Sequence, residues 1–314
     1  FNLATTYLKL NDCEKSLENL FLTIKFNSKN LDAYFEIAEI YRKQKNFNKS
    51  LYYYNLSNHV KTQYKKLQCL LEKGSKKEYS EELNEIILRN PNDRRIASLS
   101  AFASHQLEID NIYPFCPNPL NFVYKTSISK HINKYEKFIN LLKEDLFNLN
   151  FDWEPKGRTT IKGYATKNLS EKKISNLKKL ENTIFKILNE YFECYKDKNV
   201  NFIKNKPRKF KFISWSNILQ KEGHNIPHIH PSGWVSGVFY LQIPNKIKND
   251  EAGIKFHLEG DDFILNKKNC PKKSINPSVG DVVLFPSSLF HSTVPFSSDE
   301  KRICIAFDLC VLEE

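Results

Sequence analysis

The chain has no methionine, nine glycines, and only seven arginines among its 48 basic residues. It begins at Phe1, already inside a helical pattern, and so reads as a fragment of a longer protein. No basic start followed by an apolar stretch is visible, so no secretory signal is expected within it. No apolar run approaches the ~18 residues needed to span a bilayer, and no membrane partner is expected. C-x-x-C is absent from the seven cysteines, Cys13, Cys69, Cys116, Cys194, Cys270, Cys304 and Cys310. Their odd number and scattered spacing argue against a disulfide framework or a zinc ribbon and fit a reducing cytoplasm. Gly-x-Ser-x-Gly is also missing, which removes the usual hydrolase signature.

What is present suffices for two packed domains: 314 residues, 40% hydrophobic and 27% charged. The net charge of +12 comes mostly from Lys spread along the chain beside Asn and Ile. The densest basic stretch, 204–211 (KNKPRKFK), holds Phe210 and no other aromatic. That composition fits a solvated face, and no nucleic-acid partner is expected.

The first ~110 residues read as helices with an internal repeat. Ala4 and Tyr7 recur as Ala38 and Tyr41, and Lys15, Ser16 and Leu17 recur as Lys49, Ser50 and Leu51, each offset by 34. A third copy is weaker, with Tyr79 standing 32 after Phe47. This segment resembles the tetratricopeptide repeat, in which stacked helix pairs bury a shared core. The resemblance implies either a concave surface for a peptide or protein, or a helical spacer. Asn90-Pro91-Asn92-Asp93 then reads as a break and N-cap before a last helix.

Three prolines in 113–120 (YPFCPNPL) mark a linker. Amphipathic helices are expected over about 131–147 and 171–195, with a turn and short strand over 153–166 between them. From Pro207 the pattern changes to short β-branched and aromatic runs at 210–219, 234–243, 253–258, 262–265, 281–285 and 303–311. Six such runs without an intervening long helix mean a β-sandwich or barrel. The expected architecture is therefore α+β and multidomain. Helical repeats fill 1–110, helical and strand support fills 111–205, and a β-core fills 206–314.

His224, His228 and His230 precede the run 234–243, and His291 follows 281–285 beyond the turn Pro286-Ser287-Ser288. Side chains at i and i+2 share one side of an extended chain. A third imidazole from a distant strand closes one face of an octahedron and leaves three positions open, which oxygen chemistry at iron requires. His224 reads either as a neighbour of a substrate or as a solvent-exposed loop residue.

Residues 206–314 resemble the double-stranded β-helix, or jelly-roll, of the Fe(II)/2-oxoglutarate oxygenases, in a bacterial branch related to prolyl hydroxylases. The likeness is carried by HIHPSGWVSGVFYLQIP at 228–244, by Gly280-Asp281-Val282-Val283-Leu284-Phe285-Pro286, by His291 and by Arg302. WEPKGRTTIKGYAT at 153–166 extends it to about 115–314. The resemblance implies Fe(II), 2-oxoglutarate and O2 as cofactor and cosubstrates. It implies hydroxylation of a C–H bond of a peptide, protein or small molecule, with succinate and CO2 released. The usual His-x-Asp or His-x-Glu pair maps onto His228 and His230. His230 thus stands where a carboxylate is usual, which leaves the iron complex one charge more positive. Either His230 is itself a ligand, as in related three-His β-helix sites, or it lies behind the metal and a water or remote carboxylate completes the set. Arg302, 11 residues past His291, falls where the family binds the far carboxylate of 2-oxoglutarate. Cys304 stands where Arg-x-Ser members place their serine. Tyr240 and Asn217 are further candidates for that carboxylate, Tyr240 being equally readable as a core aromatic. Trp215 and Trp234 read as pocket walls or core. Two rivals stay open: a cupin-type metal enzyme without 2-oxoglutarate, suggested by Gly223 and Gly280-x5-Pro286-x4-His291, and a catalytically inactive, repeat-based interaction protein.

Overall fold

The computed structural model describes residues 1–314 other than 246, 247, 249, 261, 262, 264–268, 313 and 314. The chain divides into two compact units, Phe1–Pro91 with Leu107–Ile109, and Asn92–Gln106 with Asp110–Glu314. Sequence reading put the division near 110; by compactness the helix Arg94–Leu107 goes mostly with the second unit. No helix among the described residues is long and apolar enough to cross a membrane.

In the first unit six helices form three pairs: α1 (Asn2–Lys9) with α2 (Cys13–Phe26), α3 (Leu31–Lys43) with α4 (Phe47–Leu56), and α5 (Thr62–Lys73) with α6 (Lys76–Arg89). The 34-residue period has a physical counterpart in the first two pairs. Asp12 and Asn46 cap α2 and α4 by accepting from the backbone N–H of Lys15 and Lys49. Ser16 Oγ donates to Ala4 O at 3.0 Å, and Ser50 Oγ makes the same bond to Ala38 O at 2.9 Å. Lys15 and Lys49 also lie over the rings of Tyr7 and Tyr41, at 5.5 and 5.1 Å. The third pair is joined by a different device. Arg42, 3% exposed, bonds Glu72 at 2.5 Å and Glu39 at 3.2 Å. Such a buried pair fixes the packing more than it adds stability, although removing one partner costs about 3–5 kcal/mol.

In the second unit, α7 (Arg94–Leu107) is followed by β1 (Tyr124–Ser127), α8 (Tyr135–Phe147), β2 (Asp152–Trp153), β3 (Thr160–Ala165), α9 (Ser175–Cys194) and α10 (Asn201–Lys204). Helix α8 starts later than the periodicity suggested, because Lys134 takes a left-handed φ of 55° and breaks the turn before it. Helix α9 buries Leu177, Leu180, Ile184, Ile187, Leu188 and Tyr191, the stripe that its spacing predicts. The later strands are β4 (Phe210–Asn225), β5 (Gly233–Gln242), β6 (Ile254–His257), β7 (Lys272–Ile275), β8 (Asp281–Pro286), β9 (Phe290–Thr293) and β10 (Arg302–Val311). The expected strand 262–265 falls, apart from Phe263, outside the described residues.

These strands form a seven-stranded sheet in the order β1-β8-β5-β10-β4-β3-β2 and a three-stranded sheet in the order β7-β6-β9. Every pairing is antiparallel. Val238, Tyr240, Phe285 and Cys304 of the large sheet pack with Ile254 and Phe256 of the small one, so the core lies between the two. This two-sheet arrangement is consistent with the jelly-roll. It places β10 and β5 at the middle of the large sheet and β9 at the edge of the small one, with a cavity between them.

Candidate active site

The segment Pro227-His228-Ile229-His230-Pro231 is held extended by its own sequence. Proline fixes its own φ and pushes the residue before it into extended backbone. The surrounding strands then pin the register. His228 and His291 exchange both backbone hydrogen bonds at 3.1 Å, and His230 N–H donates to Ser287 O at 3.0 Å. His228 and His230 therefore project together, and β9 delivers His291 to the same place. The ring centroids lie 4.3 to 5.1 Å apart. One nitrogen from each ring falls within 4.8 Å of the other two.

Hydrogen bonding fixes which nitrogen that is. His228 Nδ1 lies 2.7 Å from Ile226 O, and His291 Nδ1 lies 3.1 Å from Leu289 O. A carbonyl only accepts, so both Nδ1 atoms carry the proton and both Nε2 atoms keep a lone pair. His230 Nδ1 donates to Asp308 Oδ2 at 2.8 Å, which leaves its Nε2 facing the other two rings. His230 Nε2 is buried and has no partner within the protein. Three Nε2 atoms thus converge, one of them buried without a partner in the protein. The set fits a divalent first-row metal with open positions.

Burial holds two of the rings neutral. The pKa of His228 is pushed down to about 3, by burial first and the neighbouring His230 second. That of His291 is pushed well down, by burial and then by His228 and His230. Both lie below the ~6.5 of an unfolded chain, so on acidification the unfolded chain takes up protons first. In the metal-free protein their contribution to stability is complete above about pH 6.5. Below that it falls by about 1.4 kcal/mol per pH unit for each imidazole, and for His228 the decline ends at about 3. Thermal unfolding of the metal-free protein at pH 7 and pH 5 should show this loss, and His228→Gln should reduce it. An equal decline in both proteins would contradict the assignment.

The histidines open onto a cavity of about 400 Å³ between the two sheets. From β10 the alternate residues Arg302, Cys304, Ala306 and Asp308 line it, as a strand's period of two requires. Arg302 is 2% exposed. Its Nε donates to Ala252 O at 2.8 Å and its Nη1 to Cys304 Sγ at 3.3 Å. No carboxylate pairs with it among the described residues. A buried guanidinium without a counter-ion is costly unless an anion is meant to meet it. Asn217 lines the same cavity, and its Oδ1 is buried without a partner. Tyr240 is fully buried beside Arg302, whose guanidinium carbon lies 5.0 Å from its ring. Its hydroxyl makes no well-formed hydrogen bond, and burial pushes its pKa up.

The remaining sequence candidates separate. Trp215 lines the cavity and stacks on His230, with centroids 5.5 Å apart and planes 14° apart. Trp234 does not line it: it is core, donating Nε1–H to Phe202 O and packing on Phe115. His224 is not among the lining residues, and its Nδ1 lies 3.0 Å from Glu222 O. Sequence reasoning did not single out Asp308, Thr293, Ser236 or Ser287. The signal for Asp308 was available, as the one acid on the inward face of RICIAFDLCV.

Residues 213–308 match the family model described as "Putative 2OG-Fe(II) oxygenase". No curated protein matches the chain. Among solved structures, a prolyl-4-hydroxylase from Pseudomonas putida is similar at 10% identity and a TM-score of 0.40, covering 69% of this chain and 100% of that one. HygX from Streptomyces hygroscopicus, with nickel and 2-oxoglutarate bound, is similar at 12% identity and a TM-score of 0.42, covering 60% and 82%. A prolyl hydroxylase from Trichoplax adhaerens, in complex with a hypoxia inducible factor peptide fragment, is similar at 12% identity and a TM-score of 0.43, covering 69% and 90%. These scores mark a distant likeness. With the matched segment spanning the histidine cluster and Arg302, the chain carries an iron(II)- and 2-oxoglutarate-dependent oxygenase domain, with O2 as its second cosubstrate.

Proposed function

We propose that His228, His230 and His291 hold the iron through their Nε2 atoms and that Arg302 binds the far carboxylate of 2-oxoglutarate. The observation that carries this reading is the convergence of three Nε2 atoms, one of them buried without a partner, in the cavity that Arg302 also lines. Iron bound there supplies the redox chemistry that couples oxidative decarboxylation of 2-oxoglutarate to hydroxylation of a substrate C–H bond.

The chain's own residues do the rest. Carbonyl and carboxylate partners on each Nδ1 fix tautomer and ring orientation before the metal arrives. The planar fork of Arg302 matches a carboxylate and is held in place by Ala252 O. Asn217 and Tyr240 stand beside it to complete that contact. Trp215 walls the cavity and, by stacking on His230, keeps water from that side of the donor set. The substrate is a peptide, a protein or a small molecule. We read the first unit as a tetratricopeptide-like array that recruits it, supported by the hydrogen bonds that recur at 34 residues. We place the chain in a reducing cytoplasm on the odd number and scattered spacing of its seven cysteines.

The test is spectroscopic. Fe(II) and 2-oxoglutarate added without oxygen should develop the visible charge-transfer band of the chelate, and admitting O2 should then yield succinate. Metal binding with neither band nor succinate would favour the cupin-type alternative. No metal binding at all would favour an inactive scaffold.

A further inference from the structure

We infer that Asp308 supplies, through His230, the negative charge that a directly ligating carboxylate would bring to the metal. This rests on His230 being a metal ligand, as proposed above.

The three imidazoles are not equivalent. Behind His228 and His291 stands a backbone carbonyl, and behind His230 alone stands a carboxylate, with Nδ1 to Oδ2 at 2.8 Å. An anion accepting from Nδ1–H makes Nε2 a stronger donor and passes part of its charge to whatever Nε2 binds. The pair is built into the sheet. Asp308 Oδ1 accepts from Ser236 Oγ at 2.7 Å, and Ser236 Oγ lies 2.8 Å from Ser287 Oγ. The Ser287 carbonyl in turn accepts the backbone N–H of His230 at 3.0 Å, closing the circuit on the ring it began from. Gly233 makes room for this, because a Cβ there would stand 2.5 Å from Ser287 Oγ.

Burial supplies the second line of argument. Asp308 is 6% exposed, and among the described residues its only salt-bridge partner is His230. A carboxylate so placed, with no Lys or Arg, is expensive to keep. A divalent ion one imidazole away is the counter-charge the fold provides for. Asp308 is thus a positioning and charge-donating residue that does not itself touch the metal. The carboxylate missing at position 230 has moved one shell outward.

A double-mutant cycle on Co(II) affinity of the full chain tests this. Asp308→Asn should weaken Co(II) binding about 10–100-fold. It should also move the Fe(II)–2-oxoglutarate band to higher energy, as the metal loses donated charge. In a His230→Asp background the same substitution should leave affinity unchanged or improve it, since the carboxylate is then on the metal and a second buried anion repels it. Equal losses in both backgrounds would make Asp308 a structural residue only, and no loss in either would also overturn the inference. The Zn(II)-loaded wild-type chain gives a check that needs no variant. One imidazole N–H proton, assigned to His230 by its carboxylate acceptor, should resonate downfield of the two bonded to carbonyls. Three equivalent signals would contradict the inference. His291→Ala run in parallel separates the two readings. Co(II) binding that survives it displaces the metal site itself, whereas binding lost there with Asp308→Asn silent refutes only the role of Asp308.

Discussion

His291→Ala should abolish the Fe(II)–2-oxoglutarate band and the succinate that follows, with a loss well beyond the ~10–100-fold typical of removing an outer-shell partner. His228 and His230 come from one extended segment, and only β9 brings the third donor. Without it two imidazoles remain, too few to hold iron in one geometry while leaving cosubstrate positions open. The backbone pairing of residues 228 and 291 does not depend on the side chain, so the alanine variant keeps the strand register. The buried ring contributes packing as well. Thermal unfolding with and without Co(II) therefore accompanies the assay. The wild type should be stabilised by the metal, since a ligand that binds only the folded state raises its stability, and the variant should not. His224→Ala, outside the cavity, should leave band and succinate intact. Succinate formation that survives His291→Ala would refute the proposed metal set.

The pairing of His228 and His230 was legible because its geometry is local. An i,i+2 spacing in an extended chain is enough to place His228 and His230 on one side. Arg302 was named from the resemblance, which places a basic residue about ten positions past the distal histidine, and the strand it opens brings Cys304, Ala306 and Asp308 to the same cavity. His291 was found, but not the strand that carries it. Phe290–Thr293 is four residues long and is a strand only because β6 lies beside it, a partner some 35 residues earlier in the chain. The strands β1 and β7 escaped for the same reason. Strand β4 runs past the expected 219 to Asn225, where it pairs with Thr160 of β3, another non-local contact. In the helical unit, the 34-residue offset pointed to contacts that recur at that offset, because a helix pair is a local structure. The buried Arg42–Glu72 pair joins segments 30 residues apart and leaves no such trace. Trp234 shows the limit of adjacency in sequence. It lies four residues after His230 and shares its strand parity with Ser236 and Val238, which line the cavity, yet its indole packs on Phe115 and donates to Phe202 O instead.

Arg302→Met should raise the 2-oxoglutarate concentration needed to develop the band by 30-fold or more, while leaving the cosubstrate-free protein as stable as the wild type or more so. The first half follows from charge. Truncating one partner of a buried, hydrogen-bonded ion pair costs about 2–5 kcal/mol, which is roughly 30-fold to several thousandfold in affinity. The second half follows from Arg302 having no carboxylate partner among the described residues while only 2% exposed. Two terms oppose each other in the cosubstrate-free protein. Removing the side chain deprives Ala252 O of a donor at 2.8 Å, a cost of about 1–3 kcal/mol. It also removes a desolvated cation, and replacing buried charge with an apolar side chain of similar volume is often neutral or stabilising by about 1–4 kcal/mol. Arg302 has no counter-ion among the described residues to offset its desolvation, so the second term should outweigh the first and the melting temperature should hold or rise. Cosubstrate should raise the melting temperature of the wild type and not that of the methionine variant. Arg302→Lys should fall between, since it keeps the charge but loses the fork. A purely structural arginine would give the opposite pattern, with a lower melting temperature and unchanged cosubstrate affinity. A site built to meet an anion is destabilised until the anion arrives, and that trade can be measured before any substrate is known.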